Sequence, residues 1–427
     1  MAPLKILVSG GGIAGNAVSF WLSKLGHDIT VVERFPSLRT TGLQIDLRGY
    51  GIKVLKRMGL DEAFRANAAP EQGIQIVDKS GRRRGYFPAN TSGKGSQNFT
   101  SAYEIMRGDL CRIMYDVTKD RVEYIFGTSI ETFEEKDGAV DVRFSDGKTG
   151  RYDLLIGADG QGSRTRKMML GSGAMDAFVP VGDGEYIAYF TIPRPMREGE
   201  GYMGTFYIAT GNRWVMTRRS NTEEMQIYLA CKLDAGRLRA AGKEGVKEEK
   251  EALTEIFKGA GWQLDEILES LKDTDNFYGE HLGLVKLDSW SRGSVTLLGD
   301  AGYCPSVNTG MGTTSAMVGA YILAGEIGKH CGSSAGEVAS GGGDRKDGLA
   351  TALEAYEEKF RPFMNYVQKG VEEGSGWDMF MSTSLGIAVI NCLVGIASLF
   401  KVNVGKWTLK ESIKGWDLPE YEELTRD

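Results

Sequence analysis

Residues 4–8 are a short apolar run that ends in Ser9 and a cluster of glycines. A run of this length bounded by turn residues predicts a buried strand. Apolar positions then recur at helical spacing over 13–25, and Gly26 stands where such a helix stops. A second apolar run at 28–32 completes a strand–helix–strand opening. Helices are expected over 52–58, ending at Gly59, and over 105–117, carrying Arg107. Strand-like runs recur at 74–77, 122–126, 140–144 and 152–156, with turns signalled at Asp137-Gly138 and Asp146-Gly147. The segment 129–151 therefore reads as a small antiparallel insertion that feeds back into a parallel sheet.

The pattern changes from about residue 171 to 285. Short alternating runs at 186–192, 202–208, 213–217 and 225–229 predict an antiparallel sheet, and charged helical stretches follow at 246–257 and 264–271. A strand returns at 295–300. The expected fold is α/β with an α+β insertion: a Rossmann-like unit over 1–170 and 286–370, an inserted antiparallel-sheet unit over 171–285, and C-terminal helices over 371–427. The Gly/Ser/charge-rich stretch 333–347 reads as a loop before a helix at 349–368. Residues 379–400 contain no charge. A membrane span of ~20 residues is one reading. Ser382, Thr383, Ser384, Asn391 and Ser398 dilute it, so packed C-terminal helices are the favoured reading, with interfacial membrane contact as a further alternative.

Composition narrows the chemistry. A net charge of −6 with no basic stripe argues against a nucleic-acid partner. The short cluster Arg82-Arg83-Arg84 reads as a solvated hairpin. Three histidines make a His-rich metal site or a His-based triad an unpromising reading, and no metal is expected. Five scattered cysteines without a CxxC read as free thiols in a reducing compartment, and the apolar N-terminal run is too short for a secretory signal, so the cytoplasm is the expected location. Oligomeric state is left open.

Three motifs carry the chemistry. Gly10-x-Gly12-x-x-Gly15 follows the first strand and opens a helix, the arrangement that lets backbone approach a pyrophosphate. Glu33 closes the second strand where a carboxylate can grip ribose hydroxyls, with Arg34 beside it. The second motif is Gly157-Ala158-Asp159-Gly160, followed by Ser163 and Arg166. The third is 297–312, where a strand ends in Gly299-Asp300 and a Pro/Gly loop leads to a helix near Gly310. Bare backbone at a helix N-terminus hydrogen-bonds electron-rich ligands.

In this order and spacing the motifs resemble the FAD-dependent group A aromatic hydroxylases, the para-hydroxybenzoate hydroxylase type, and most of all the tetracycline-inactivating monooxygenase branch. The resemblance covers roughly residues 4–370. It implies that Glu33 binds the ribose of the FAD adenosine. It implies that Asp46 contacts the flavin side, that Arg107 meets FAD, and that Asp159 serves FAD and transient NAD(P)H. Asp300 would hold the ribityl chain, and Gly310, Met311, Gly312 and Thr313 would set backbone N–H groups near the isoalloxazine ring. Arg39 matches a position linked to NADPH; a solvated loop arginine is the competing reading. Arg213, in Gly211-Asn212-Arg213, resembles a substrate-contacting arginine; a surface hairpin turn is the competing reading. The chain departs from the family at Tyr303, often His, and at Met311, usually Gln.

The resemblance also implies a mechanism. NADPH or NADH binds briefly and reduces the flavin, O2 yields a flavin C4a-hydroperoxide, and one oxygen passes to a phenolic, polycyclic or polyketide-like small molecule. A second dinucleotide fingerprint is missing from the sequence, which suits a transient NAD(P)H. A flavin dehydrogenase or oxidase without oxygen insertion is the alternative. No protein nucleophile or acid–base residue is assigned. Of the aromatics Tyr186, Tyr189, Phe190, Tyr202, Phe206, Tyr207 and Trp214, alternation puts about half in a core and leaves the rest to floor a substrate site.

Overall fold

The computed structural model describes residues 3–40, 42–90, 100, 102–171, 177–232, 235–332, 342–372, 380, 382–400 and 415–425. Its first sheet has the strand order Ser291–Arg292, Val295–Leu297, Leu154–Gly157, Lys5–Ser9, Asp28–Glu33, Glu123–Phe126. All neighbours run parallel except the first, short edge strand. The strands read as continuous apolar runs because both faces are covered. Ile6 and Val8 face the helices Ile13–Lys24 and Gly312–Cys331, while Leu7 faces a three-stranded layer of Ile130–Lys136, Ala139–Phe144 and Thr149–Tyr152. Register sets Ser9 beside Val32 and Gly157, and Gly157 beside Leu297. Glu33, the last residue of its strand, and Gly10, Asp159 and Asp300, just past theirs, therefore stand at one carboxyl edge, where open α/β sheets bind ligands.

The second sheet has seven strands in the order Phe277–Val285, Phe178–Pro193, Glu224–Cys231, Arg213–Arg218, Met203–Ala209, Gly73–Val77, Arg83–Pro88. One face packs on the helices Ala235–Glu244, Val246–Phe257 and Leu264–Asp273 through Tyr186, Phe190, Tyr207, Val215 and Leu229. The other face carries Ile187, Tyr189, Tyr228, Ala230 and Leu282, with Leu43, Trp214 and Met216 packed against them.

Several local expectations differ from the structure. Residues 104–106 form a strand antiparallel to Gln44–Asp46, and the helix begins only at Arg107, because Ile105 is needed in the core opposite Ile45. Residues 73–88, grouped by sequence with the first unit, pair into the second sheet, Gly73–Val77 running parallel to Met203–Ala209. The expected loop at 333–347 is helical from Gly342, within Gly342–Gln368; residues 333–341 lie outside the described residues. Of the segment 379–400, residues 384–399 form one helix, and no described helix is long and apolar enough to cross a membrane. Near the C-terminus, Trp416 packs on Tyr50 and Phe363, each at 4.9 Å between ring centres.

Candidate functional site

The glycine loop is built by close approach. Gly10 adopts φ +108°, and a Cβ there would stand 2.6 Å from the Ala158 carbonyl oxygen. A Cβ at Gly15 would sit 1.9 Å from the Gly10 carbonyl oxygen, so only glycine lets the helix approach its own loop. Asn16, fully buried, donates from Nδ2 to the carbonyls of Gly11 (2.7 Å) and Gly12 (2.9 Å). Sequence reading passed over Asn16; a polar residue in the first turn of an otherwise apolar helix was the available signal. The helix Ile13–Lys24 has neither a side-chain cap nor an acidic residue in its first turn, and the same holds for Gly312–Cys331. Two long helices thus begin at the carboxyl edge with bare N-terminal N–H groups, the donor set that suits a phosphate or an electron-rich ring edge.

Glu33 accepts the Gly11 N–H at 2.8 Å and the Phe35 N–H at 3.1 Å. Arg34 and Arg39 both lie over the Phe35 ring, at 5.2 and 5.0 Å, and Arg39 also lies 5.9 Å from the Tyr278 ring of the second sheet. Burial, and then the neighbouring Arg107 guanidinium, lower the Arg39 pKa. The chain after the second strand therefore reaches across the cleft between the two sheets.

Asp159 caps a helix. Its Oδ1 accepts from Ser163 Oγ (2.5 Å), and its Oδ2 accepts from the Arg164 N–H (2.9 Å), the Thr165 N–H (3.0 Å) and Thr165 Oγ1 (3.1 Å). The helix it caps presents Arg166, whose buried guanidinium donates to the carbonyls of Gln161 (2.7 Å) and Ala301 (3.0 Å). That arginine locks the second motif to the loop that carries Asp300. Burial pushes the Asp300 carboxyl up, and Arg107 opposes the shift.

Asp46 pairs with Arg48 on the short ribbon. The Arg48 N–H donates to Thr314 Oγ1 (2.9 Å), and Thr314 Oγ1 donates back to the Arg48 carbonyl (3.1 Å). The ribbon is thereby bolted to the first turn of the helix Gly312–Cys331, which begins with Gly312 and Thr313 after Gly310 and Met311. Met311 is fully buried. Ser306, in the preceding loop, holds φ +67° and ψ +146°, a conformation that costs a side-chain-bearing residue about 1–3 kcal/mol. Tyr303 points away into the helical core, its hydroxyl 3.1 Å from the Tyr356 hydroxyl, so its departure from the family pattern is a packing change.

Arg213 is not brought to this cleft. It shares the helix-covered face with Val215 and donates to the carbonyls of Thr210 (2.9 Å) and Ile256 (2.5 Å). Arg213→Ala is expected to cost about 1–2 kcal/mol of stability, from its two backbone bonds, and to leave KM unchanged; steady-state kinetics beside urea melts check this. The opposite face is aromatic: Tyr189 meets Tyr228 edge-on at 5.5 Å, and Phe206 stacks on Trp214 at 5.2 Å. Polar groups on it are few. Glu280 accepts from the Tyr189 hydroxyl (2.8 Å) and the Tyr278 hydroxyl (3.3 Å), and its carboxyl is pushed up to about 7, first by burial and then by Asp300. Tyr278 is 45% exposed, so the trio lines a recess rather than filling a core. Glu185 accepts from Trp214 Nε1 (3.4 Å) and Asn308 Nδ2 (3.3 Å). Sequence reading missed Glu280: an acid inside a strand is visible only once Tyr189 is known to lie beside it.

Where the ribbon meets the second sheet, Arg218 donates from Nε to Glu71 (2.6 Å) and from Nη2 to Glu71 (2.7 Å) and Glu104 (2.5 Å). Gln44 Nε2 donates to the same two carboxylates at 2.8 and 2.5 Å. All four side chains are buried.

The described donors and acids at the carboxyl edge suit a dinucleotide with a second electron-rich ring, and comparisons agree. A family described as "FAD binding domain" matches residues 4–339. The chain is 51% identical to the FAD-dependent monooxygenase asL4 of Sarocladium schorii over 100% of both chains. It is 38% identical to the flavin-dependent monooxygenase eupH of Phoma sp, over 93% of each. Its fold is similar to that of the tetracycline destructase Tet(51), with a TM-score of 0.73 and 28% identity over 98% of this chain and 99% of that one.

Proposed function

This chain belongs to the FAD-binding-domain family and is an FAD-dependent monooxygenase, and from that premise we propose that it inserts one oxygen atom into an electron-rich aromatic small molecule, phenolic or polycyclic. The observation that supports the substrate class is the face of the second sheet turned to the cofactor edge, where Tyr189, Tyr228, Phe206 and Trp214 form an aromatic floor with few polar points. Bound FAD supplies hydride acceptance from NAD(P)H and activation of O2. The chain's own residues bind, orient and exclude water. Glu33 would take the ribose hydroxyls, the backbone of Gly10–Gly12 and the bare helix start behind it the pyrophosphate, and Asp300 with Arg107 the ribityl region. The first turn at Gly312 would present N–H groups to the ring. Arg39, held between Phe35 and Tyr278, would meet a phosphate of NAD(P)H. Glu280, steadied by two phenols, would take the hydroxyl proton of the substrate, which raises electron density on its ring.

Purified protein is given FAD, NADPH and a panel of phenols under air. Substrate-stimulated NADPH oxidation with a product one oxygen atom heavier is expected. Stimulated oxygen uptake that yields only hydrogen peroxide across the panel would overturn oxygen insertion. Asp300→Ala removes a charged hydrogen-bond acceptor, so FAD should bind roughly 10- to 150-fold more weakly, measurable by flavin fluorescence titration. Unaltered affinity would remove Asp300 from the cofactor site.

A further inference from the structure

The helix Ser384–Leu399 carries no charged residue. Leu385, Val389, Leu393, Ile396, Leu399 and Phe400 are 73, 39, 57, 47, 81 and 78% exposed. At about 100° per residue these six fall in one arc of about 120°. The opposite arc is the packed one. Val394 lies over Gly85, and the Ser398 hydroxyl accepts from the Tyr86 N–H and donates to the Tyr86 carbonyl, both at 3.0 Å. Surface helices ordinarily turn polar residues to water; this one turns out an unbroken apolar stripe, and contiguous exposed apolar surface marks an interaction site.

The strand beneath the helix leads out of the hairpin 78–84. There Lys79, Arg82, Arg83 and Arg84 stand against Asp78, a local charge of +3 (four cations less one anion) in a chain of −6. The four basic residues are exposed. The Arg84 carbonyl lies 3.2 Å from where a Cβ at Gly395 would stand, so the basic hairpin adjoins the apolar stripe. The hairpin's acid, Asp78, is already paired with Arg84.

We propose that this face docks on an anionic lipid membrane, the stripe of Ser384–Leu399 entering the interfacial layer and the 78–84 hairpin meeting the headgroups. Sixteen residues rise about 24 Å, short of the ~20 residues of a span, so the helix lies in the interface rather than crossing it. A second copy of the chain is the rival occupant. An isologous contact needs a patch that complements itself, and the described hairpin offers four cations while its one acid, Asp78, is paired with Arg84.

The test uses the full chain loaded with FAD, sedimented with vesicles of phosphatidylcholine alone and of phosphatidylcholine with phosphatidylglycerol. Binding to the anionic vesicles is expected. It should weaken roughly ten- to thirtyfold in Arg82→Gln/Arg83→Gln, and at least about tenfold in Leu393→Ser/Leu399→Ser, with flavin absorbance and NADPH oxidation unchanged in both. Protein left in the supernatant with both vesicle types overturns the proposal. So does equal binding to both types, and so does a dimer by light scattering that Leu393→Ser/Leu399→Ser dissolves without any vesicle binding.

Discussion

Arg218→Met is expected to destabilise the fold by about 3–5 kcal/mol, the cost of leaving buried charges without their partner. Glu71 and Glu104 are each 1% exposed at their side chains and share the one guanidinium. Burial lowers the Arg218 pKa, but the two carboxylates outweigh it and hold the cation charged. Burial, then Arg218 in opposition, then Glu71, leave the Glu104 carboxyl pushed up to about 7 from 4.5. The folded chain therefore keeps a proton that the unfolded chain loses between these values. The stability this represents is fully present below 4.5 and is lost as pH rises through about 7. Without Arg218 the Glu104 carboxyl favours its proton further, so the deficit should be larger above neutrality than below it. Urea unfolding on both sides of neutrality measures this. A deficit under about 1 kcal/mol, the range of ordinary surface changes, or one indifferent to pH, would mean that Gln44 and solvent suffice for the two carboxylates.

Glu280→Gln is expected to lower turnover by about 10²–10⁴, the usual worth of a positioned proton acceptor, while FAD content stays intact. Only the ionised carboxylate can accept a proton. Burial and Asp300 push that carboxyl up to about 7, and the hydroxyls of Tyr189 and Tyr278 oppose them. Cys304, across the cleft, is neutral because its own thiol is pushed far up by burial. Wild-type turnover should therefore climb as pH rises through about 7, and the glutamine variant should lose that inflection. A variant that keeps the inflection would move proton acceptance to another group. Glutamine preserves shape and the Tyr189 contact, so a fall in turnover with KM unchanged separates chemistry from packing.

The carboxyl edge of the first sheet was legible from residue spacing. Glu33 ends a strand and Gly10, Asp159 and Asp300 come just after one, and the strands are apolar enough to be recognised. Parallel strands covered on both faces leave that mark, and their ligands gather at the carboxyl edge by rule. The second unit was legible only as a sheet. Alternation says that Tyr189 and Phe190 point opposite ways; it does not say which way faces the cofactor. Arg213 stands on the helix-covered face for that reason, since a one-residue parity decides between cleft and helical layer. Arg218, Glu71, Glu104 and Glu280 were invisible because each gains meaning from a partner tens of residues away. The Glu104–Met106 strand was lost to a stronger helical pattern just after it, and core contact with Ile45 decided the outcome.

The strand Gly73–Val77 was grouped by sequence with the first unit, yet it pairs parallel with Met203–Ala209 in the second sheet. The second sheet is thus threaded by chain from both sides of the crossover, like a seam stitched through two pieces of cloth. Residues 171–285 could not be exchanged between relatives as a cassette: the graft would meet a foreign edge at 73–88 and a foreign helix beyond it. The hairpin 73–88 and the sheet it completes therefore stand or fall together, whichever unit the sequence assigns them to.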